Sequence, residues 1–217
     1  IGSALTGTYG QLTIAADGSY SYVANQDLAD ALDVGDSVTD TFNYTLSDGT
    51  ATDIGVITIT ILGANDNPTA VNDTGYIKEG GTLTVANSAA ANSGTSTGNH
   101  TGDMTDNDTD DDASSTATIT SITATTASGS AQTTFSSNSE TVTGAYGTLT
   151  INSDGSYSYV ADSNISGLDA EDANVTDVFT YIVSDGTATS AATLTINVIA
   201  SQDLTARNDT GTVNEDA

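Results

Sequence analysis

No cysteine occurs among the 217 residues, so no disulfide can stiffen the fold, although this absence alone assigns no redox compartment. Tryptophan is also missing, and proline occurs once, at Pro68. Basic residues are nearly missing: Lys78 and Arg207 stand against 29 acidic residues, for a net charge of −27. That balance excludes electrostatic attraction to nucleic acid or to an anionic membrane and makes a cation the natural partner. No apolar run approaches the roughly 18 residues of a membrane span, so membrane insertion is not expected, and no basic-then-apolar signal segment stands at Ile1. The one histidine, His100, follows a run of Ser, Ala, Asn, Gly and Thr in which nothing would position it as a general base, and it reads as a surface residue. No nucleophile motif, phosphate-binding glycine loop or zinc-ligand set occurs, so the chain reads as a non-enzyme with no catalytic residue.

What is present is present twice. The stretch from Tyr9, Gly10, Leu12, Thr13 and Ile14 through Asp17, Gly18, Ser19, Tyr20, Ser21 and Tyr22 returns 137 residues later as Tyr146, Gly147, Leu149, Thr150 and Ile151 through Asp154, Gly155, Ser156, Tyr157, Ser158 and Tyr159. The offset holds through Asp40 and Phe42 against Asp177 and Phe179, and through Ser47, Asp48 and Gly49 against Ser184, Asp185 and Gly186. A further match, Asn72 and Asp73 against Asn208 and Asp209, slips by one residue. A repeat of this length is domain-sized. The expected organisation is the C-terminal part of one repeat over residues 1–64, a complete repeat over 65–201, and the start of the next over 202–217. The register also leads us to expect a window on a longer protein.

Alternation with period two fixes the fold class as all-β. Leu12 and Ile14, Tyr20 and Tyr22, Phe42, Tyr44 and Leu46, and Ile57, Ile59 and Ile61 each fall on one face of an extended segment, with Thr, Ser or Asn between them. Asp-Gly pairs at Asp17, Asp48, Asp154 and Asp185 mark tight hairpins, and these aspartates read as turn formers rather than ligands. Residues 26–36 and 164–174 read as loops with at most one helical turn, and residues 87–103 as a long exposed loop. Further strands are expected near 74–78, 82–85, 117–122 and 133–143. Together these predict a tandem of antiparallel Greek-key β-sandwiches. With 36% apolar residues, each domain would lean on metal or on its neighbours for stability.

Nearly all the acids are aspartate, the exceptions being Glu79, Glu140, Glu171 and Glu215, and aspartate suits turns and metal loops. Six carboxylates crowd residues 103–112. They repel at about 1 kcal/mol per close pair even in water. The alternation of Asp106, Asp108, Asp110 and Asp112 suits a hard cation taking 6–8 oxygens, which makes calcium (Ca2+) the expected cofactor. A second set, Asn65, Asp66 and Asn67, lies where one repeat gives way to the next, stiffened by Pro68.

The triplet Asn65, Asp66, Asn67 resembles the calcium-binding linker of cadherins, with Gly63 in place of that family's preceding aspartate. The resemblance implies a glutamate near the start of a domain, matched by Glu79 with Glu215 in the next repeat, and an Asp-X-Asp matched by Asp108, Thr109 and Asp110. At the second junction Asp203 is the matching carboxylate. The ordered motifs over residues 7–68 and 144–200 resemble the VCBS repeat of giant bacterial surface proteins. That likeness implies a cadherin-like or immunoglobulin-like extender domain of a repeats-in-toxin-type adhesin. Such a protein is exported by a type I system to the bacterial surface, outside the cell, and serves adhesion and biofilm formation. The glycine-rich nonapeptide repeat that ends such proteins is missing from these residues.

Three functional readings follow. The first is a calcium-stabilised structural extender whose partners are the neighbouring repeat domains of the same protein. The second is a glycan-binding domain using the loop 87–103, which its lack of aromatic residues disfavours. In the third, a homopolymer, one chain's opening strand near residues 205–217 completes another chain's open sheet edge.

Overall fold

The computed structural model describes residues 2–87, 99–112, 115–125, 133–135, 137–163, 165–166, 168 and 174–200. Asp203 and the proposed start of a further repeat therefore lie outside the described residues, as does most of the loops at 87–103 and 164–174.

In the first unit β1 (Ala4–Thr6), β2 (Gly10–Ile14) and β3 (Tyr20–Ala24) form one antiparallel sheet. After a single helical turn, α1 (Asp27–Asp30), the strands β4 (Ser37–Ser47) and β5 (Thr52–Leu62) form a long hairpin. The second unit contains β6 (Asp73–Lys78), β7 (Thr82–Val85), β8 (Asn99–His100), β9 (Thr118–Ala124) and β10 (Thr133–Thr134). It continues with β11 (Ser139–Thr143), β12 (Gly147–Asn152), β13 (Tyr157–Ala161), β14 (Val175–Ser184) and β15 (Thr189–Ile199). These assemble as a six-stranded sheet, β10-β9-β14-β15-β6-β8, facing a four-stranded sheet, β11-β12-β13-β7. The repeat is thus a structural one: β2 opens at Gly10 and β12 at Gly147, β5 at Thr52 and β15 at Thr189. One pairing departs from the antiparallel expectation. The opening strand β6 enters from the linker and runs parallel to the closing strand β15, Asp73 beside Leu194 and Lys78 close to Ile199.

Inward residues alternate as the sequence predicts. Phe179, Tyr181 and Val183 of β14 and Leu194, Ile196 and Val198 of β15 meet Leu83, Val85, Leu149, Ile151, Tyr157 and Tyr159 of the opposite sheet in one core. Burying one such side chain fully contributes about 1.5–3 kcal/mol, against roughly 0–1 for a surface ion pair, so this core outweighs the scattered surface repulsion. Tyr159 and Phe179 meet edge-on across the two sheets, with centroids 6.2 Å apart. In the first unit the counterparts Tyr22 and Phe42 do the same at 6.3 Å. Other inner-face positions differ: Tyr44 is 39% exposed where Tyr181 is fully buried, because β9 and β7 cover the second unit and have no counterpart among the described residues of the first.

The Asp-Gly turns form as read, with Gly18, Gly49, Gly155 and Gly186 all at positive φ. Each preceding aspartate accepts the backbone N–H two residues on, for example Ser19 onto Asp17 at 3.0 Å and Thr50 onto Asp48 at 2.8 Å.

A carboxylate lies at the centre of each unit. Asp177, with no exposed surface, accepts the N–H groups of Ala145 (2.7 Å) and Tyr146 (3.0 Å) and the hydroxyl of Tyr159 (2.7 Å). Asp40 does the same with Thr8, Tyr9 and Tyr22. Burial alone would raise the Asp40 carboxyl, but the bonds from Tyr22, Tyr9, Thr8 and Gly10 outweigh it and hold it below its ordinary value. Burial, with the carboxylate beside it, pushes the Tyr22 hydroxyl up to about 12. The cage needs glycine: a Cβ on Gly144 would sit 2.0 Å from Asp177 Oδ2, and one on Gly7 would sit 2.2 Å from Asp40 Oδ2.

His100 is not a surface residue. Pairing of β8 with β6, His100 opposite Gly75, draws it beneath the loop that follows, and it is 3% exposed with Nδ1 accepting the Gly102 amide. Beside it Asp73, 1% exposed, accepts the hydroxyls of Tyr181 (2.7 Å) and Thr101 (3.0 Å) and the amide of Asn107 (3.2 Å). Burial pushes Asp73 up to about 6; the Tyr181, Thr101 and Asn107 bonds oppose the rise and the Asp108 charge adds to it.

Two outcomes follow. Asp177→Ala strands three donors and should cost about 3–5 kcal/mol, against about 1–2 for Tyr159→Phe, with Gly144→Ala costing more than Tyr159→Phe. Urea unfolding of the full chain measures the ranking, and near-equal values would refute the cage. Because Asp73 is raised above its ordinary 3.8 to about 6, its contribution is fully present below about pH 4 and is lost as pH rises through 6. In EDTA the chain should therefore melt higher at pH 5 than at pH 7.5, and Asp73→Asn should flatten part of that slope. An unaltered slope in the variant would remove Asp73 as a cause.

Candidate metal centre at the junction

The chain passes from the first unit to the second through residues 63–72, and this linker is held from both sides. On the first unit's side the Gly63 amide donates to the Asp36 carbonyl at 3.0 Å, and a Cβ on Gly63 would lie 2.1 Å from the Asp33 carbonyl oxygen. Only glycine permits that approach, which accounts for Gly63 standing where the cadherin pattern has aspartate.

On the second unit's side the linker is zipped to the acidic loop. The Asp66 amide donates to Asp112 Oδ2 (3.0 Å), and Thr69 and Thr109 exchange both backbone bonds (2.7 and 3.1 Å). The Val71 amide donates to Asp108 Oδ1 (2.8 Å), and the Asn107 amide to Asp73 Oδ1 (3.2 Å). The two segments run antiparallel, so successive acidic residues of the loop meet successive positions of the linker.

At the outer end of this zipper Asp110, Asp112 and Asp185 each offer a carboxylate oxygen, and the three oxygens lie within 4.8 Å of one another. Asp185 reaches the cluster because its turn divides the labour of its oxygens. Oδ1 accepts the Thr187 and Ala188 amides, both at 2.6 Å, while Oδ2 accepts the Asn65 amide at 2.9 Å. Its backbone partners, led by Ala188 and Thr187, hold Asp185 below the ordinary carboxylate value. Asp110 is fixed by the Ser115 hydroxyl at 2.6 Å and by the Asp112 amide at 3.1 Å. Asp112 Oδ1 is buried with no hydrogen-bond partner. Asp66, within reach, is pushed up by burial and then by the charges of Asp112, Asp111, Asp30 and Asp110. The cleft here, about 410 Å³, is lined by Asp33 and Val34 of the first unit and by Asn65, Asp112, Ser115, Thr116, Asp185 and Thr187. Like charges at this spacing repel, and the oxygen-only donor set suits a hard cation. The residues present could hold a metal ion.

The expected site residues separate into groups. Asn65, Asp66, Asp110 and Asp112 come together. Asn67 is exposed in the linker. The alternation predicted one set from Asp106, Asp108, Asp110 and Asp112, whereas the carboxylate oxygens that converge within 4.8 Å are those of Asp110, Asp112 and Asp185. The loop is folded, with Asp106 N bonded to Asp103 O and Asp108 N to Thr105 O, so alternate residues do not share a side. Asp106 Oδ2 faces the Asp103 amide (3.3 Å), and burial and the Asp103 charge raise its pKa. The Asp-X-Asp pair at the junction is Asp110 and Asp112, one step beyond Asp108 and Asp110. Glu79 stands just past the other end of β6, about 20 Å along the chain direction from Asp73, where it accepts the Ile165 amide and its own N–H donates to Ile199 O (2.9 Å). The sequence reading missed Asp185, having assigned it wholly to its turn. Its signal was the repeat itself, which places an Asp-Gly hairpin at the end of β14 facing the linker.

A family model described as bacterial cadherin-like domain matches residues 65–200, and one described as bacterial Ig domain matches residues 1–60. Among solved structures, an endo-fucoidan hydrolase from glycoside hydrolase family 107 aligns at 18% identity and a TM-score of 0.27, covering 92% of this chain and 23% of its own. The EC1-3 region of mouse clustered PcdhgC3 aligns at 13% identity and a TM-score of 0.36, covering 88% of this chain and 51% of its own. The chain thus spans about a quarter and about half of the lengths of these two structures. No curated protein matches. With the greater part of its length matched by that first model, the chain belongs to the bacterial cadherin-like domain family.

Proposed function

We propose that this chain is a calcium-stiffened extender segment of a large secreted bacterial adhesin, holding a distal binding region away from the cell and serving adhesion and biofilm formation. Bacterial cadherin-like and Ig domains are typically extracellular, structural repeat domains, and no helix among the described residues is long and apolar enough to cross a membrane. The observation that carries the calcium reading is the convergence of Asp110, Asp112 and Asp185 within 4.8 Å beside the linker, with Asp112 Oδ1 left unpartnered. An ion there would draw on the second unit's loop and turn and on Asn65 and Asp66 of the linker, and so would tie the connection itself. Calcium fits better than magnesium because carboxylates fixed by turn geometry cannot all move to an octahedron, whereas calcium accepts 6–8 oxygens in irregular arrangement.

The same chemistry would couple export to folding. Where free calcium is scarce, the loop's carboxylates repel and oppose the zipper; millimolar calcium outside the cell reverses this. Export by a type I system is part of this proposal and rests on the repeat pattern.

At 100 times its dissociation constant one ion adds about 2.7 kcal/mol, which for a chain of this size raises the melting temperature by about 5–10 °C. The full chain should show at least that rise with millimolar calcium after EDTA treatment and a much smaller one with magnesium, and Asp112→Asn should lower it by the junction ion's share. Equal melting curves in EDTA and calcium would end the calcium reading and leave the acids a role in solubility.

A further inference from the structure

The inner end of the zipper gathers a second set of oxygen donors that the junction does not use. Asp73 is almost wholly buried at the start of β6, and Asp103 and His100 are buried with it. Among the described residues the only Lys or Arg is Lys78, exposed at the far end of the same strand. Asp73 is therefore held by three neutral donors, Tyr181, Thr101 and Asn107, and by no cation. Unlike Asp40 and Asp177, which accept backbone amides, Asp73 also has the Asp108 charge beside it, and a buried carboxylate next to a second one takes up a proton or attracts a positive ion.

Four side-chain atoms in this part of the domain are buried and have no hydrogen-bond partner: Asn107 Oδ1, Asp108 Oδ2, Tyr157 OH and His100 Nε2. Buried polar atoms are rarely left so, and a cluster of them marks a place where something is missing. Asn107 is bonded to Asp73 through its amide nitrogen, and Asp108 holds the Val71 amide two residues before Asp73, so both orphan oxygens belong to side chains that neighbour that carboxylate. Tyr157 is 2% exposed, and its hydroxyl, coming from the opposite sheet, lies 3.4 Å from where a Cβ on Gly75 would sit, two residues along β6 from Asp73. His100 Nδ1 accepts the Gly102 amide, so in this geometry Nδ1 carries no proton and Nε2 does, and the imidazole has no free lone pair for a metal. The donors that can ligate are all oxygens, and soft or nitrogen-seeking metals such as zinc are disfavoured.

We propose that Asp73, Asn107 and Asp108 hold a second hard divalent cation, calcium by its chemistry, inside the cadherin-like domain and separate from the junction. Asp108 can serve both purposes because its oxygens are divided: Oδ1 binds the linker at Val71 and Oδ2 faces inward. Asp110, Asp112 and Asp185 belong to the outer end, so the acidic loop carries two sites, one at each end of its contact with the linker. A water alone could satisfy the orphan oxygens, but it would leave the buried Asp73 charge uncompensated.

Terbium(III), a probe of calcium sites excited through nearby tyrosine, tests this on the full chain. Tyr157 and Tyr181 face the inner set, and no tyrosine lines the junction cleft. The expected result is tyrosine-sensitised emission, displaced by calcium, that persists in Asp112→Asn. In Asp108→Asn its affinity should fall by about tenfold or more. Asn107→Ser, which keeps a donor for Asp73 but removes the amide oxygen, should weaken it in the same way, and serves alone if Asp108→Asn does not fold by circular dichroism. Emission lost in Asp112→Asn but unaffected by Asn107→Ser and by Asp108→Asn, or no sensitised emission at all from the folded chain, would overturn the inner site. The Asp112→Asn melt tests the junction separately, so either site can fail without the other.

Discussion

Everything in this structure answers to one constraint: carboxylates must be held close together with almost no basic side chains to neutralise them. A chain with 29 acids and two bases cannot use salt bridges as its general solution. It uses backbone amides and hydroxyls instead. In the hairpins, Asp17, Asp48, Asp154 and Asp185 accept amides of their own turn, and the charge that might oppose folding fixes the turn. In the two cores, Asp40 and Asp177 each accept two amides and a tyrosine hydroxyl, which satisfies a carboxyl group in the middle of a sandwich. Dipoles hold single carboxylates well. They do not hold several at once, and where Asp110, Asp112 and Asp185 converge the remaining recourse is a cation or a proton.

The cage around Asp177 also organises the domain. It joins the turn before β12, the strand β13 and the strand β14, and so connects the two sheets through a single side chain. Gly144 has to be glycine because the carboxylate fills the space of its Cβ. The same five positions recur in the first unit as Gly7, Thr8, Tyr9, Tyr22 and Asp40, which explains in physical terms why those stretches are the best matched part of the repeat. What the two copies preserve is a set of donors around a buried charge, together with the alternating residues that bury it.

Much of the fold was legible because it rests on short-range rules. Period-two alternation and Asp-Gly turns located β2 to β5 and β12 to β15, and the family match over residues 65–200 agrees with a cadherin-like sandwich. The parallel pairing of β6 with β15 was not legible, since no local pattern distinguishes a strand that enters the sheet from one edge or the other. The site was half legible. Asn65, Asp66, Asp110 and Asp112 stood out by density of oxygen ligands, but the loop's turns at Asp106 and Asp108 broke the alternation that had joined four aspartates to one ion. His100 was misread because its partner strand lies 25 residues earlier in the chain, Gly75 against His100, and polar neighbours in sequence say nothing about such a contact. Asp185 was hidden by doing two things at once.

The zipper between linker and acidic loop explains how a local charge problem can become a mechanical property. A linker of about ten residues would bend freely if its amides faced water. Here the amides of Asp66, Thr69 and Val71 are bound to Asp112, Thr109 and Asp108, so the linker is as stiff as the loop that holds it. That loop is the most self-repelling part of the chain, and its order depends on how its charge is balanced. Any agent that neutralises it therefore acts on the linker without touching either core. The hydrophobic cores hold their own shape, and the acidic loop holds the linker that leads into the second of them. The feature that costs the second unit most in electrostatic repulsion is thus also the one that orders the connection entering it.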